Sequence, residues 1–500
     1  MKFLRHVLVL LLFCGAVSAQ GDIRSRLQRR FPDPRGILEE YYTGDAWDFY
    51  TRIRFASGAF AFTFITDKAR GEDWGDLTAG GASWSPPGGP VRSVSAGWLR
   101  ADLGSGLVLA VPGSFSSLSE LAMYKPPGIR NRIEPATSPW GCRGTPLVGA
   151  GAVISMKTLD ISVLGALSPI DSLAGGYHRT PSEVAGRNAF TEKLAGVRLS
   201  RGFIGLTAAA AEVSDPDEYS WFRAGADWSA EIGTITSSGE IALGQDSAGS
   251  GLAGWTAISG TSGNFRHMVM LLRNPSGFPS RRSGAPVSRE CDAGICLGVR
   301  WRFLPGAALK TGAGAYFQED NDLLLASGQV EYRFPFSMEA SIGVRTRTET
   351  DRFAWRGWLG SVWLPHDLIS VSTKVQVSGW SDSQQDSTES GTGMEMKLRF
   401  CPRSGVQLDI GGAACSTDGY NSRVYAGGSS FPGVFGSTAM YNRTLILYTQ
   451  LSVSLDEDIT IRGALSRRTT DGASSLGSGW EETQGDSRTE FGFQLDYAFH

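Results

Sequence analysis

The sequence predicts an all-β fold: a large antiparallel transmembrane β-barrel of about 24 strands, within a range of about 22 to 26. Three observations lead to this prediction. Apolar and polar residues alternate along many stretches, the part after residue 19 has no apolar run of the roughly 18 residues that a spanning helix needs, and the chain begins like an exported protein. In such a barrel the apolar face of each strand meets lipid and the polar face meets a watery lumen.

The N-terminus has the pattern of a secretory signal peptide. Lys2 and Arg5 precede an apolar run over residues 7–13, and small residues occupy positions 17–19. We expect residues 1–19 to be removed and residues 20–500 to form a single barrel domain in the bacterial outer membrane. Insertion there requires the lipid bilayer and the barrel-assembly machinery as partners.

Composition excludes several other classes of protein. Glycine supplies 64 of the 500 residues, which is well above the usual share of about 7% and favours turns and closely packed strands. The formal net charge is −3, and acids and bases are intermixed. Because no basic block is present, nucleic-acid binding is not expected.

The stretch over residues 488–499 shows the alternation most clearly. Apolar side chains occupy the odd positions from Phe491 to Phe499, while Gly492, Gln494 and Asp496 lie between them. Successive side chains of a strand point to opposite faces, so this pattern produces one apolar and one polar surface. The same alternation recurs over residues 49–64, 297–303, 329–345, 369–378, 394–400, 406–410 and 445–455.

Connections between these stretches predict how the barrel is oriented. Short joints, such as Pro305-Gly306 and Pro402-Arg403, alternate with longer polar stretches near residues 113–145, 169–191, 274–293, 417–441 and 469–487. Bacterial outer-membrane barrels have short periplasmic turns and long outer loops. Counting back from residue 499 gives a first strand near residues 23–31.

Five cysteines remain after residue 19. Cys291 and Cys296 flank a short Asp-Ala-Gly sequence at the foot of a strand, and export permits disulfides. We expect a local disulfide between these two, with Cys142 as the odd one out. The state of the five cysteines is otherwise left open.

Charged residues on the polar faces are candidates for lining the lumen. A cationic strip would favour anions, whereas pairing with interleaved acids would only satisfy a wide polar interior. Both interpretations stay open, and the second is favoured by Glu331, Glu339, Glu395 and Asp409 on the same faces. The candidates are Arg52, Arg54, Arg300, Arg302, Arg333, Arg345, Arg347, Lys374, Lys397 and Arg399.

The late loop over residues 417–441 carries the candidate ligand contacts Tyr420, Arg423 and Tyr425. If this loop folds inward, aromatic and arginine chemistry suits carbohydrate or anionic groups. A loop packed on itself explains the same residues.

No catalytic or metal-binding pattern stands out. His178, Ser182 and Glu183 supply the residue types of a nucleophilic triad, but loop-ordering hydrogen bonds explain them better. Histidines and cysteines lack the spacing of a metal site. We therefore expect no enzyme activity, no metal and no cofactor.

Several blocks of the sequence resemble a family of Gram-negative outer-membrane barrel proteins usually labelled helix-hairpin-helix domain-containing. The matching blocks are residues 25–30, 48–55, 97–109, 128–132, 176–183, 273–278, 418–425, 431–433 and 477–482. The resemblance implies the barrel fold and no settled activity. The helix-hairpin-helix part itself is missing, because the predicted barrel follows the signal peptide at once.

The sequence therefore predicts a passive channel or uptake pore for a small polar solute. An alternative is a structural or assembly component of the outer membrane that binds a partner without transport. A membrane-embedded hydrolase is the least favoured alternative.

Overall fold

A computed structural model describes residues 20–110, 128–139, 142–143, 146–172, 176–214, 219–247, 249–278, 282, 291–318, 321–428, 431–432, 434 and 437–500. The predicted signal peptide lies outside the described residues, as does most of residues 113–145.

Strands dominate the described residues. They are β1 (Gln20–Phe31), β2 (Trp47–Ser57), β3 (Phe60–Lys68), β4 (Leu77–Trp84), β5 (Val91–Gly104), β6 (Leu109–Ala110), β7 (Arg130–Pro135), β8 (Val148–Met156), β9 (Leu159–Ile170), β10 (Phe190–Arg201), β11 (Ile204–Ser214), β12 (Tyr219–Ile232), β13 (Ile235–Asp246), β14 (Gly249–Ser262), β15 (Phe265–Asn274), β16 (Cys291–Leu304), β17 (Ala307–Phe317), β18 (Leu323–Phe334), β19 (Met338–Thr348), β20 (Arg352–His366), β21 (Ile369–Asp382), β22 (Ser387–Arg403), β23 (Val406–Thr417), β24 (Val424–Gly427), β25 (Ser437–Met440), β26 (Arg443–Ser454), β27 (Ile459–Thr470), β28 (Ser475–Leu476), β29 (Thr483–Gln484) and β30 (Ser487–Phe499).

Twenty-four of these strands form a closed antiparallel barrel, which confirms the predicted fold class and count. Each wall strand pairs with the wall strands before and after it, and β30 pairs with β1 to close the ring. The exceptions among the described strands are β6, β7, β24, β25, β28 and β29, which lie outside the wall.

Among the described residues, helical structure is limited to short turns in the loops. They are α1 (Arg35–Leu38), α2 (Pro181–Ala185) and a 3-10 turn (Gly479–Glu481). Thr180 caps α2, since its side chain accepts from the Glu183 amide at 3.2 Å. Within the described part of the chain, no helix has the length and apolarity needed to cross a membrane.

Connections alternate between the two ends of the barrel. Turns of a few residues, such as 202–203, 263–264 and 404–405, lie at the end where β1 begins and β30 finishes. We call this the short-turn end. The opposite, long-loop end carries the connections over residues 32–46, 171–189, 275–290, 418–442 and 471–486. This arrangement matches the predicted alternation.

The outer surface of the wall is apolar around the ring. Large side chains that point away from the lumen are widely exposed in the isolated chain, for example Leu167, Phe222, Leu243, Leu271 and Ile342. A continuous exposed apolar band of this kind requires a lipid environment, which is the property of a transmembrane barrel.

One stretch of the chain leaves the wall and enters the lumen. Strand β5 pairs with β8 up to Trp98, and its continuation from Leu99 to Gly104 pairs with β7 instead. The change of direction falls at Gly97, whose φ of 101° is left-handed. A Cβ there would lie 2.4 Å from the Gly80 carbonyl oxygen, so only glycine fits. We call residues 99–110 and 130–135 the inner arm.

The inner arm packs against one side of the lumen. Leu99, Leu103 and Leu109 are almost fully buried against inward-facing residues of β9 to β18, many of which are small or apolar, such as Ala242 and Met270. Burying each such leucine contributes about 2 to 3 kcal/mol. The inner arm therefore fills part of the barrel interior.

Buried polar groups fix the tip of the inner arm. The Glu240 carboxylate accepts from the backbone amides of Ser105 and Leu107, at 3.1 and 3.2 Å. Arg223 donates to the Val108 carbonyl at 3.1 Å and stacks on a neighbouring tryptophan. These contacts satisfy the backbone groups of a turn that has no strand partner at this point.

Cys291 and Cys296 both lie in β16 as buried free cysteines, so the predicted disulfide is wrong. Residues 292–294 continue the strand and do not turn back. A rise of five residues along a strand separates the two Cα atoms by about 16 Å, whereas a disulfide needs less than about 7 Å.

Candidate functional site

The lumen beside the inner arm holds a cavity of about 570 Å³ that is rich in arginine. It extends from the middle of β1 and β2 to the long-loop end, and we call it the arginine chamber. Seven arginines line it, against four carboxylates: Arg24, Arg26, Arg30, Arg52, Arg70, Arg143 and Arg179, with Asp48, Asp67, Glu481 and Glu490. An excess of positive charge inside a low-dielectric wall attracts anions.

Alternation of side chains along β1 and β2 explains which arginines line the part of the chamber near the middle of the barrel. Arg24, Arg26 and Arg30 occupy even positions of β1, and Arg52 lies on the matching face of β2 opposite Arg24. Arg26 stacks over the Tyr50 ring at 5.1 Å. Among the described residues, no carboxylate lies within 4.0 Å of Arg26, so its charge is not neutralised by a direct ion pair.

Loops supply the upper part of the chamber. The Glu481 carboxylate projects into the chamber from the loop over residues 471–486. It is surrounded by arginines of three other segments. The N–O distances are 2.7 Å to Arg179, 3.3 Å to Arg70 and 3.5 Å to Arg30. Its Oε1 atom also accepts from the Tyr42 hydroxyl at 3.4 Å.

A second network holds these loops together. Arg143 pairs with Asp67 at 2.6 Å and with Glu72 at 2.8 Å, and its guanidinium stacks over Tyr177 at 4.9 Å. The Arg143 side chain is only 5% exposed, and the Glu72 side chain is fully buried. The outer rim of the chamber is therefore a fixed arrangement of paired charges.

The late loop folds inward as a hairpin formed by β24 and β25. Gly427 donates to Glu395 of β22 at 3.1 Å, and Arg24 donates to the Pro432 carbonyl at 3.1 Å. Val424 and Met440 are buried against apolar residues of β23 and β26. The tip of this inner hairpin lines a separate cavity of about 430 Å³, together with Lys397, Arg399 and Arg462.

The three ligand candidates of this loop contact one another. Arg423 lies 4.3 Å from the Tyr420 ring centre, and its Nε donates to the Tyr425 hydroxyl at 3.0 Å. The Tyr425 ring also stacks with Arg356 at 4.4 Å. Tyr420 keeps 57% of its surface exposed. These contacts are those of a loop packed on itself, with one tyrosine left accessible.

A second cavity, of about 740 Å³, opens towards the short-turn end, and we call it the vestibule. It contains bases and acids in similar number. Its charged lining consists of the candidates Arg300, Arg302, Arg333 and Lys374 together with Glu331, Glu339 and Glu395.

Most of the remaining lumen candidates pair with acids on neighbouring positions. Lys397 and Arg399 both contact Asp409, at 2.8 and 2.9 Å. Arg52 lies 2.9 Å from Asp22, which also contacts Arg54. Pairing extends to two further candidates, since Arg333 contacts Glu339 and Arg347 contacts Glu349. Arg345 lies opposite Arg356 in the register of β19 and β20.

The catalytic residue types near His178 are not assembled into a triad. The His178 ring binds Asp76 through Nδ1 at 2.8 Å and Asp171 through Nε2 at 3.1 Å. Ser182 instead lies 3.1 Å from the Thr180 hydroxyl, within the cap of α2. These loop-ordering hydrogen bonds raise the pKa of His178 to about 9, so the ring is an imidazolium at neutral pH.

Glu72, Asp76 and His178 offer ligand atoms within 4.8 Å of one another. Both ring nitrogens of His178 are already hydrogen-bonded, to Asp76 and to Asp171. Both carboxylates already bind protein groups, since Glu72 contacts Arg143 and Asp76 contacts Arg187. The chemistry of this cluster therefore fits a structural junction of loops.

Six arginines of the chamber and Glu481 were missed as site residues in the sequence: Arg24, Arg26, Arg30, Arg70, Arg143, Arg179 and Glu481. The three arginines of β1 could have been found, because they share the even face of that strand. The others come from separate loops, and no local pattern connects positions more than 300 residues apart.

Neither the family models nor the curated proteins give a match to this chain. Solved barrels are similar in shape. An anion-selective porin from Comamonas acidovorans is 11% identical, with a TM-score of 0.34 over 62% of this chain and 100% of that one. The P pilus usher PapC translocation pore is 9% identical, with a TM-score of 0.40 over 96% of this chain and 99% of that one.

OccK11 of Pseudomonas aeruginosa is 10% identical, with a TM-score of 0.34 over 96% of this chain and 95% of that one. Such likenesses concern the barrel shape and carry no functional argument for this chain.

Proposed function

We propose that this chain is a passive pore of the bacterial outer membrane that admits small polar solutes and favours anions. The observation that supports this function is the arginine chamber, in which seven arginines face four carboxylates inside a transmembrane wall. A lining that is richer in cations than in carboxylates lowers the barrier for anions and raises it for cations. Solutes would enter from the long-loop end and leave through the vestibule.

The polar side of the lumen provides the path. The inner arm occupies the apolar side, against β9 to β18, while the charged inward faces of β19 to β23 and of β27, β30, β1 and β2 remain on the other side. We infer that the inner hairpin narrows this path near Arg24 and Pro432. The resemblance to the helix-hairpin-helix domain-containing barrels adds no solute to this proposal.

Planar bilayer recordings test the proposal. Purified protein in a potassium chloride gradient should give steady conductance steps with a reversal potential on the anion-selective side. Arg26→Glu should move the reversal potential towards cations, because Arg26 lacks a direct ion pair in the chamber. Arg201→Glu is the matched control, since Arg201 is exposed on the outside of the wall at the short-turn end. Absence of conductance steps would refute the pore.

A structural or assembly role is the second candidate. It is favoured by the inner arm and the inner hairpin, since both fill lumen that a wide diffusion pore would leave open. Failure to conduct in the same recordings, together with correct folding of the protein, would support this role.

A further inference from the structure

The Glu481 carboxylate occupies the position where the arginines of the chamber converge. Arg30, Arg70 and Arg179 come from β1, from the loop after β3 and from the loop before α2, and all three reach this one group. Carboxylates and phosphates are bound by arginine through the same charge-assisted hydrogen bonds. Glu481 thus makes the contacts that an anionic group of a solute would make.

We propose that Arg30, Arg70 and Arg179 form a binding site for the carboxylate or phosphate group of a small solute, and that Glu481 is an internal competitor for this site. This inference rests on the proposed function for the source of its solute. Binding exchanges one anion for another at the three guanidinium groups. The loop that carries Glu481 then moves away from the chamber.

Burial and unused donors support a site for an added anion. The Arg70 side chain is only 7% exposed, yet its Nε has no hydrogen-bond partner. The Nε atoms of Arg30 and Arg179 are likewise buried without a hydrogen bond. Guanidinium groups offer five donors each, so one carboxylate with two oxygens cannot satisfy three of them. A solute with several anionic oxygens could satisfy more.

Glu481 is also accessible enough to be exchanged. Its side chain is 35% exposed, in contrast to Arg70 beneath it. The turn that carries it is held mainly from outside, since Trp480 stacks on Tyr41 at 3.9 Å and the Arg35 amide donates to the Glu482 carbonyl at 2.7 Å. Withdrawal of the carboxylate therefore leaves other anchors of the loop in place.

Each arginine keeps a second acidic neighbour when Glu481 withdraws. Asp48 lies 2.6 Å from Arg70, Glu490 lies 3.6 Å from Arg30 and Glu183 lies 3.7 Å from Arg179. These contacts hold the guanidinium groups in position. They also predict that removing the Glu481 charge leaves the site formed.

Glu481→Gln is the informative variant, because it removes the competing charge and keeps the size of the side chain. Calorimetric titration of the full protein in detergent micelles, with citrate and separately with inorganic pyrophosphate, measures binding directly. We expect saturable binding of at least one probe by the native protein. We expect Glu481→Gln to bind it about 10-fold more tightly, and Arg179→Gln to lose most of the binding.

Glu482→Gln is the matched control. It changes the same charge one position along the loop, and among the described residues its side chain contacts none of the three arginines. Its affinity should equal that of the native protein. Unchanged or weaker binding by Glu481→Gln would show that Glu481 supports the site instead of competing for it, and would overturn the inference.

The two titrations distinguish a carboxylate site from a phosphate site. Together with the bilayer recordings, they also distinguish the anion site from the pore. Citrate alone would identify a carboxylate site and pyrophosphate alone a phosphate site, and either result supports the inference, whereas binding of neither overturns it. Calorimetry needs no current, so binding without conductance would refute the pore and keep the anion site. Conductance without binding would support the pore and overturn the anion site.

Discussion

Leu103 tests whether the inner arm is a packed part of the fold. Its side chain is fully buried between the arm and the wall. Leu103→Ala removes three carbon atoms' worth of apolar contact, about 2.4 kcal/mol at 0.8 kcal/mol per methylene-sized group. The cavity left behind adds a further cost, so we expect a loss of about 3 to 4 kcal/mol in the free energy of unfolding.

Unfolding of the protein in lipid vesicles by guanidinium chloride, monitored by tryptophan fluorescence, measures this loss. Leu38→Ala is the matched control, since Leu38 is 56% exposed in the loop of α1 and should cost less than about 0.5 kcal/mol. If both variants lose the same small amount of unfolding free energy, the inner arm is surrounded by water and does not pack against the wall.

Three further outcomes are expected. Since the pKa of His178 is raised to about 9 in the folded protein, its stabilisation is complete below pH 6.5 and lost as the pH rises through about 9; the melting-temperature difference between native protein and His178→Asn should therefore shrink between pH 6 and pH 10. Mass spectrometry after denaturation in a thiol-alkylating reagent should find both Cys291 and Cys296 modified without prior reduction, and a peptide with the two linked would contradict the structure. Asp227→Asn breaks a buried ion pair and should cost about 3 to 5 kcal/mol in a urea melt, whereas Glu212→Gln, which breaks an exposed pair, should cost under about 1 kcal/mol; equal losses would refute this difference in burial.

The barrel wall was predictable because its signal is local. Alternation with period two follows from the geometry of a single strand, and turn length separates the two ends of the barrel. Residues 488–499 and their counterparts therefore predicted both the number of strands and their direction, without any knowledge of the partners.

The inner arm was not predictable from its own residues. Leu99, Ala101 and Leu103 alternate with polar residues just as a wall strand does, so the local pattern cannot tell a strand in the lumen from a strand in the wall. A signal existed elsewhere. Inward positions such as Ala253 and Met268 are apolar, and an apolar inner face needs another part of the chain to cover it.

The candidate site was predictable only in part. Arginines on β1 and β2 follow from alternation, whereas the position of Glu481 depends on four loops meeting over one end of the barrel. These loops lie close together only because the barrel closes into a ring. The spacing of their residues in the sequence does not predict this proximity.

Closure through β1 and β30 has a consequence for how the protein folds. Gly21 lies opposite Phe499, and Arg24 pairs with Asp496 across 472 positions of sequence, while other neighbours in the wall follow each other along the chain. Until this last junction forms, two unpaired strand edges stay exposed, and loop closure over nearly the whole chain must be completed at once. Ring closure should therefore be the slow, late and aggregation-sensitive step of folding.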